Sequence, residues 1–166
     1  MADNKQIKPL PLYYPIIPEY LWEEADSLVS YLKYFPLESP THCAYCEGGS
    51  IYLHSPSSAT RRIDSYYCRA CCKTFNRLTF TPFARMCHIE LLGELGVLYL
   101  IGLSPYQISK KIHLAVNVIK SREKAILLLM QTDYPALYDW WINHYLYRDK
   151  AVTLVLNSKR SSLLVG

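Results

Sequence analysis

The chain has no glycine-rich phosphate loop, no Ser-His-Asp order and no paired carboxylates placed for acid–base work. The usual signatures of a hydrolase or a phosphoryl-transfer enzyme are therefore missing, and no enzymatic activity is expected. No apolar run approaches about 18 uncharged residues, which excludes a membrane span by sequence. The N-terminal stretch MADNKQIKPLPLYYP lacks the basic-then-apolar order of a secretory signal. A cytoplasmic protein without a membrane partner is expected. No internal repeat is visible. In a reducing compartment, six cysteines point to metal binding or packing rather than to bridges.

What is present is an ordinary globular composition, 51% hydrophobic and 19% charged over 166 residues, enough for one domain or two small ones. The net charge of +4 is unevenly spread. Residues 1–40 carry three Lys/Arg against six Asp/Glu, residues 41–124 eleven against five, and residues 125–166 four against three. Positive charge thus collects where the cysteines lie, a moderate electrostatic footprint for a nucleic-acid partner.

Four prolines, Pro9, Pro11, Pro15 and Pro18, make residues 1–18 read as an extended arm. Leu21, Ala25, Leu28, Val29, Leu32 and Phe35 then recur at helical spacing and predict an acidic amphipathic helix that packs on the rest or on a partner. Residues 41–80 alternate short Tyr/Ile/Phe segments with Gly, Ser and Pro and suit small β-hairpins. Helical periodicity returns over 89–100, breaks at GLS, and resumes in a short helix and in a third from Val116 to Met130. Beyond Asp133, six aromatics fall within 14 residues: Tyr134, Tyr138, Trp140, Trp141, Tyr145 and Tyr147. The segment AVTLVLN suits a strand, and KRSSLLVG a frayed end.

The strongest signal is Cys43-x-x-Cys46 separated by 21 residues from Cys68-x-x-Cys71. Each C-x-x-C turn presents two thiolates from a tight knuckle, and two such turns supply a tetrahedral structural Zn²⁺ site. Cys72 is an alternative to Cys71, but the i, i+3 spacing of the first pair favours Cys71. His42, His54, Cys87 and His88 are assigned to packing or surface, because four thiolates already close the site. A closed site leaves no position for a reactive water. In a unit of some 40 residues, zinc binding of about 10–16 kcal/mol couples directly to folding.

A second module is GLSPYQISKKIHLAVNVIKSREKAI. Ser104 is an N-cap residue with Pro105 at the first helical position, Ile108 and Ile112 face inward, His113 and Leu114 form a turn, and Ala115 or Val116 opens the next helix. With the helix over 89–100, this is a tri-helical helix-turn-helix. In such a fold the last helix lies in the major groove. Val116, Asn117, Lys120 and Ser121 then face bases, with Asn117 suited to adenine, while Lys110, Lys111, Arg122 and Lys124 serve phosphates. The competing reading is three packed helices with a solvated basic face.

The order HCAYC, RRIDSYYCRACCKTFNRLTFTPFAR, a helix, and GLSPYQISKKIHLAVNVIKSREKAI resembles the N-terminal zinc-ribbon and helix-turn-helix module of bacterial insertion-sequence transposases. The resemblance covers residues 41–127 and is most specific at Tyr66/Tyr67, Cys68, Cys71, Lys73-Thr74-Phe75 and Leu78-Thr79-Phe80-Thr81-Pro82-Phe83. Cys72 and Phe80 depart from it, standing where the pattern has glycine. A further departure is that only Asp133, Asp139 and Asp149 follow Glu123, too few acidic residues and too short a segment for the catalytic domain of those enzymes. The resemblance therefore implies the DNA-binding half alone, as in stand-alone regulatory relatives.

The expected fold is α+β, mainly α. An N-terminal arm and amphipathic helix (1–40) precedes a small β zinc ribbon (41–84), a helix-turn-helix module (85–131) and an aromatic C-terminal extension (132–166). The expected function is that of a bacterial transcription regulator binding specific double-stranded DNA. In it the ribbon adds backbone contacts through Arg61, Arg62, Arg69 and Arg77. A two-fold dimer through the aromatic tail or acidic helix is one expectation, and packing of those elements into a monomeric core is the other. The alternative function is a protein-interaction module acting on another regulator or on RNA polymerase.

Overall fold

The computed structural model describes residues 8–57 and 63–146. Arg61 and Arg62, Tyr147, the segment AVTLVLN and the terminal KRSSLLVG lie outside the described residues. The chain is mixed α+β and mainly helical. Helix α1 (Trp22–Tyr34) is followed by a three-stranded antiparallel sheet of β1 (Ile51–Ser55), β2 (Ser65–Cys68) and β3 (Thr74–Asn76) in the order β1-β2-β3. Helices α2 (Leu92–Leu100), α3 (Pro105–Ile112), α4 (Val116–Asp133) and α5 (Pro135–Trp141) complete it, the last running into a π turn at Ile142–Leu146. Among the described residues no helix is long and apolar enough to cross a membrane.

Helix α1 buries Ala25, Leu28, Val29 and Leu32, the stripe its periodicity predicts. It packs on α2, whose two glycines allow the close approach. A Cβ on Gly96 would stand 2.5 Å from Leu32 Cδ1, and one on Gly93 would stand 2.2 Å from Lys33 Cγ. Helix α3 starts where its residues dictate. Ser104 Oγ accepts from the Gln107 N–H at 3.3 Å, the Gln107 side chain accepts from the Ser104 N–H at 2.9 Å, and Pro105 fills the first turn. His113 ends α3 in the left-handed region, at φ 59°.

At the N-terminus the extended arm is corrected, and at the C-terminus the tail takes the core-packing alternative. Residues 12–17 are not an extended arm but a string of turns. Tyr13 and Ile17 are buried, Tyr13 and Tyr14 both donate to the Asp26 carboxylate, and Trp22 Nε1 donates to the Ile17 carbonyl at 2.9 Å. Prolines set the turns, and the intervening aromatics then anchor on α1. Of the aromatic tail, Trp141 and Tyr145 enter the core, where Trp141 Nε1 donates to the Tyr99 carbonyl at 3.0 Å and Tyr145 Oη to that of Leu100 at 2.8 Å. Gly102, at φ +85°, leaves room for the Tyr145 ring, which a Cβ there would meet at 2.2 Å. These contacts satisfy carbonyls at the C-terminal end of α2.

Candidate metal centre and basic helical face

Each cysteine pair forms a knuckle, and the two knuckles are built alike. In the first, the Glu47 N–H donates to the Cys43 carbonyl (3.0 Å) and the Cys43 N–H to that of Gly48 (2.8 Å). In the second, the Cys72 N–H donates to the Cys68 carbonyl (2.9 Å) and the Cys68 N–H to that of Lys73 (3.0 Å). The residue after the second cysteine of each pair, Glu47 or Cys72, is left-handed, at φ 60° and 58°. Cys72 thus adopts the conformation for which glycine is the natural residue, and Phe80, at φ 63°, does the same. Both departures from the resembled pattern change the side chain while keeping a glycine-like backbone.

Strand β2 carries Cys68 at its end, paired with Ile51 of β1, so the sheet brings the second knuckle beneath the first. The four sulfurs of Cys43, Cys46, Cys68 and Cys71 lie within 4.8 Å of one another. Across the knuckles, Cys43 Sγ is 3.6 Å from Cys71 Sγ, and Cys46 Sγ is 3.6 Å from Cys68 Sγ. Metal–sulfur bonds of about 2.3 Å in a tetrahedron give edges of about 3.8 Å, so these thiols already stand near ligating geometry. All six cysteines are free thiols, and Cys72, exposed, stays outside the cluster with its Sγ toward the Arg69 carbonyl. Conformation explains the exclusion: the left-handed turn at Cys72 points its side chain away from its neighbour's.

The thiols of the cluster are not equivalent: Cys43 is lowered while Cys46 and Cys71 are raised. Burial pushes the Cys43 thiol up, but N–H groups at Cys46 and Tyr45 and the thiols of Cys71 and Cys68 outweigh it, leaving the group lowered to about 7. Burial first, and the neighbouring Cys43 second, push Cys71 up to about 12. A metal ion ligated here would displace the proton that Cys71 otherwise keeps. Beneath the site, Cys43, Cys68 and Phe75 form a small core, with Ala44, Ile51, Tyr66 and Cys71 packed against it.

The helical residues singled out from the sequence fall into two groups. Asn117, Lys120, Ser121 and Lys124 are exposed along α4 and Val116 is half-buried at its start, while Lys110 and Lys111 are exposed at the end of α3. Arg122 is a correction. It is only 7% exposed, and its Nη2 donates to the Cys87 carbonyl at 2.9 Å, so its guanidinium ties α4 to the segment before α2 and does not face phosphate. Arg69 is exposed, with its guanidinium 5.0 Å from the Tyr52 ring centre. Arg77 is half-buried, paired with Glu38 at 2.9 Å and seated 4.3 Å over the Phe35 ring, so it chiefly joins the β unit to the end of α1.

Sequence reading passed over the outward face of the sheet. Tyr52 and Tyr67 stand directly opposite in the β1–β2 register, and Tyr67 stands opposite Thr74 in β2–β3. The alternation of Ile51 and Tyr52, and of Tyr67 and Cys68, was the available signal. The chain matches no family model, no curated protein and no solved structure.

Proposed function

We propose that the protein is a DNA-binding regulator in which a zinc ribbon orders the N-terminal half of the module and a helix-turn-helix, α3 and α4, reads duplex DNA. The observation that carries this reading is the α3–α4 corner. It exposes Asn117, Lys120, Ser121 and Lys124 along one helix and Lys110 and Lys111 beside it, after a capped α3 and a tight left-handed turn at His113. A helix entering the major groove needs polar side chains at its N-terminal end and cations flanking it. The first turns of α4 carry Asn117 for base edges, and the flanking lysines supply phosphate contacts. Zinc suits the four-thiolate set because it favours closed tetrahedral sulfur sites, and such a site holds structure rather than performing chemistry. Such a site supports a binding role.

A protein-interaction module would draw on the acidic helix α1 and on exposed aromatics in the tail. Burial of Trp141 and Tyr145 removes two of them from the surface and favours the packed core over a tail-mediated dimer. The test is titration of the zinc-loaded chain with a selected duplex at several salt concentrations. Loss of Asn117 is expected to weaken binding and relax preference at one base pair, whereas loss of Lys110 lowers the salt slope by about one for every sequence. Equal weakening of all sequences by Asn117→Ala would remove the base-reading role.

A further inference from the structure

The β unit has two faces with opposite characters. Ile51, Cys68 and Phe75 face the small core beneath the cysteine cluster. On the other side stand Tyr52, Tyr67 and Thr74, with no core cluster of the described residues built on them. Tyr52 is 43% exposed, its ring centre 5.4 Å from that of Tyr67, and His54 lies 6.2 Å beyond Tyr67. Arg69 lays its guanidinium over the Tyr52 ring at 5.0 Å. Among the described residues Arg69 makes no ion pair, so its charge is left for another partner.

We propose that this outward sheet face, Tyr52 and Tyr67 with Arg69, binds single-stranded nucleic acid. The occupant follows from the chemistry. Aromatic rings presented on an exposed sheet give unstacked bases a platform, and a guanidinium plane adds a further stacking surface. The Arg69 cation beside the rings meets phosphate, and none of Tyr52, His54, Tyr67, Arg69 and Thr74 is acidic. A duplex keeps its bases stacked inside and gives these rings nothing to stack on. The site is separate from α4 and does not depend on the duplex reading.

The experiment uses the full zinc-loaded chain and two fluorescent probes, a short oligothymidylate and a short oligouridylate, followed by anisotropy. Binding of either or both at low salt is expected, and the preferred probe assigns DNA or RNA as the source of the strand. Tyr52→Ala with Tyr67→Ala should weaken that binding at least about fivefold. Tyr52→Phe, which keeps the ring, should hold it within about twofold, and duplex binding by both variants should stay unchanged. Because the double variant can perturb folding, photo-crosslinking of an iodouracil-bearing strand to the unaltered protein gives an independent readout. Crosslinks on the peptides holding Tyr52 and Tyr67 are expected. Binding of neither probe, equal binding by the double variant, or crosslinks confined to other peptides would each overturn the proposal. Loss of duplex binding by Asn117→Ala alone bears on the helical reading and leaves this one standing.

Discussion

Glu47 and Cys72 occupy the same place in the two knuckles, each one residue past the second cysteine and each left-handed, at φ 60° and 58°. The equivalence fixes which cysteines converge. It also means that Cys72 bears a backbone cost for which its thiol receives no metal bond.

Cys72→Gly should therefore keep one zinc ion per chain and gain up to about 1 kcal/mol in stability. The left-handed conformation costs a non-glycine residue about 1–2 kcal/mol, partly offset by glycine's larger unfolded-state entropy. Cys71→Ser, one position earlier, should lose stoichiometric zinc. Metal analysis by mass spectrometry and thermal melts separate the two, and loss of zinc from Cys72→Gly would reverse the ligand assignment.

Chelation should release the β unit while leaving the helices folded. The core beneath the cysteines holds three buried residues, Cys43, Cys68 and Phe75, too few to stand without the metal. The helical core draws on α1, α2, α4 and α5 together. Hydrogen exchange should show lost protection in β1, β2 and β3 and retained protection in α2 and α4. Protected strands in the metal-free protein would contradict a metal-dependent fold.

Gly96→Ala should cost about 1–3 kcal/mol, because the new methyl meets the buried Leu32 side chain at 2.5 Å and α1 must shift. Gly93→Ala should be close to neutral despite a nominal 2.2 Å approach to Lys33 Cγ. Lys33 is exposed and can swing aside, and alanine improves helix propensity by about 1 kcal/mol. Denaturant melts of the two variants give the comparison, and equal losses would mean that both glycines are locked in the α1–α2 contact.

Arg122 and Lys124 lie two residues apart yet should respond differently. Arg122→Gln should destabilise the fold by about 1–3 kcal/mol through the lost bond to the Cys87 carbonyl, without lowering the salt slope of duplex binding. Lys124→Gln should lower that slope by about one and leave stability within about 0.5 kcal/mol. An unchanged melt for Arg122→Gln would undo the structural role assigned to its guanidinium.

The cysteine pairs, the capped start of α3 at Ser104 and the stripe of α1 are legible in the sequence because each depends on near neighbours: a knuckle, a capping box, a helical period. The exceptions depend on distant partners. Nothing local indicates that Tyr13 and Tyr14 fold back onto Asp26, or that Trp141 and Tyr145 reach the carbonyls of Tyr99 and Leu100. Arg122 sits at a position that helical spacing places beside the buried stripe, yet its long side chain reads as a surface cation until Cys87 is seen beside it. The left-handed backbone of Cys72 and Phe80 shows in neither residue type, and only the glycine of the resembled pattern points to it.

The central claim, duplex reading by α4 of a zinc-ordered module, is tested most directly by selection from a random duplex library with the zinc-loaded full chain, repeated with Asn117→Ala. A defined motif, steep salt dependence, and relaxed preference at a single base pair in the variant are expected. Sequence-blind, weak capture that Asn117→Ala leaves unaltered would contradict it and return α3 and α4 to a purely structural role.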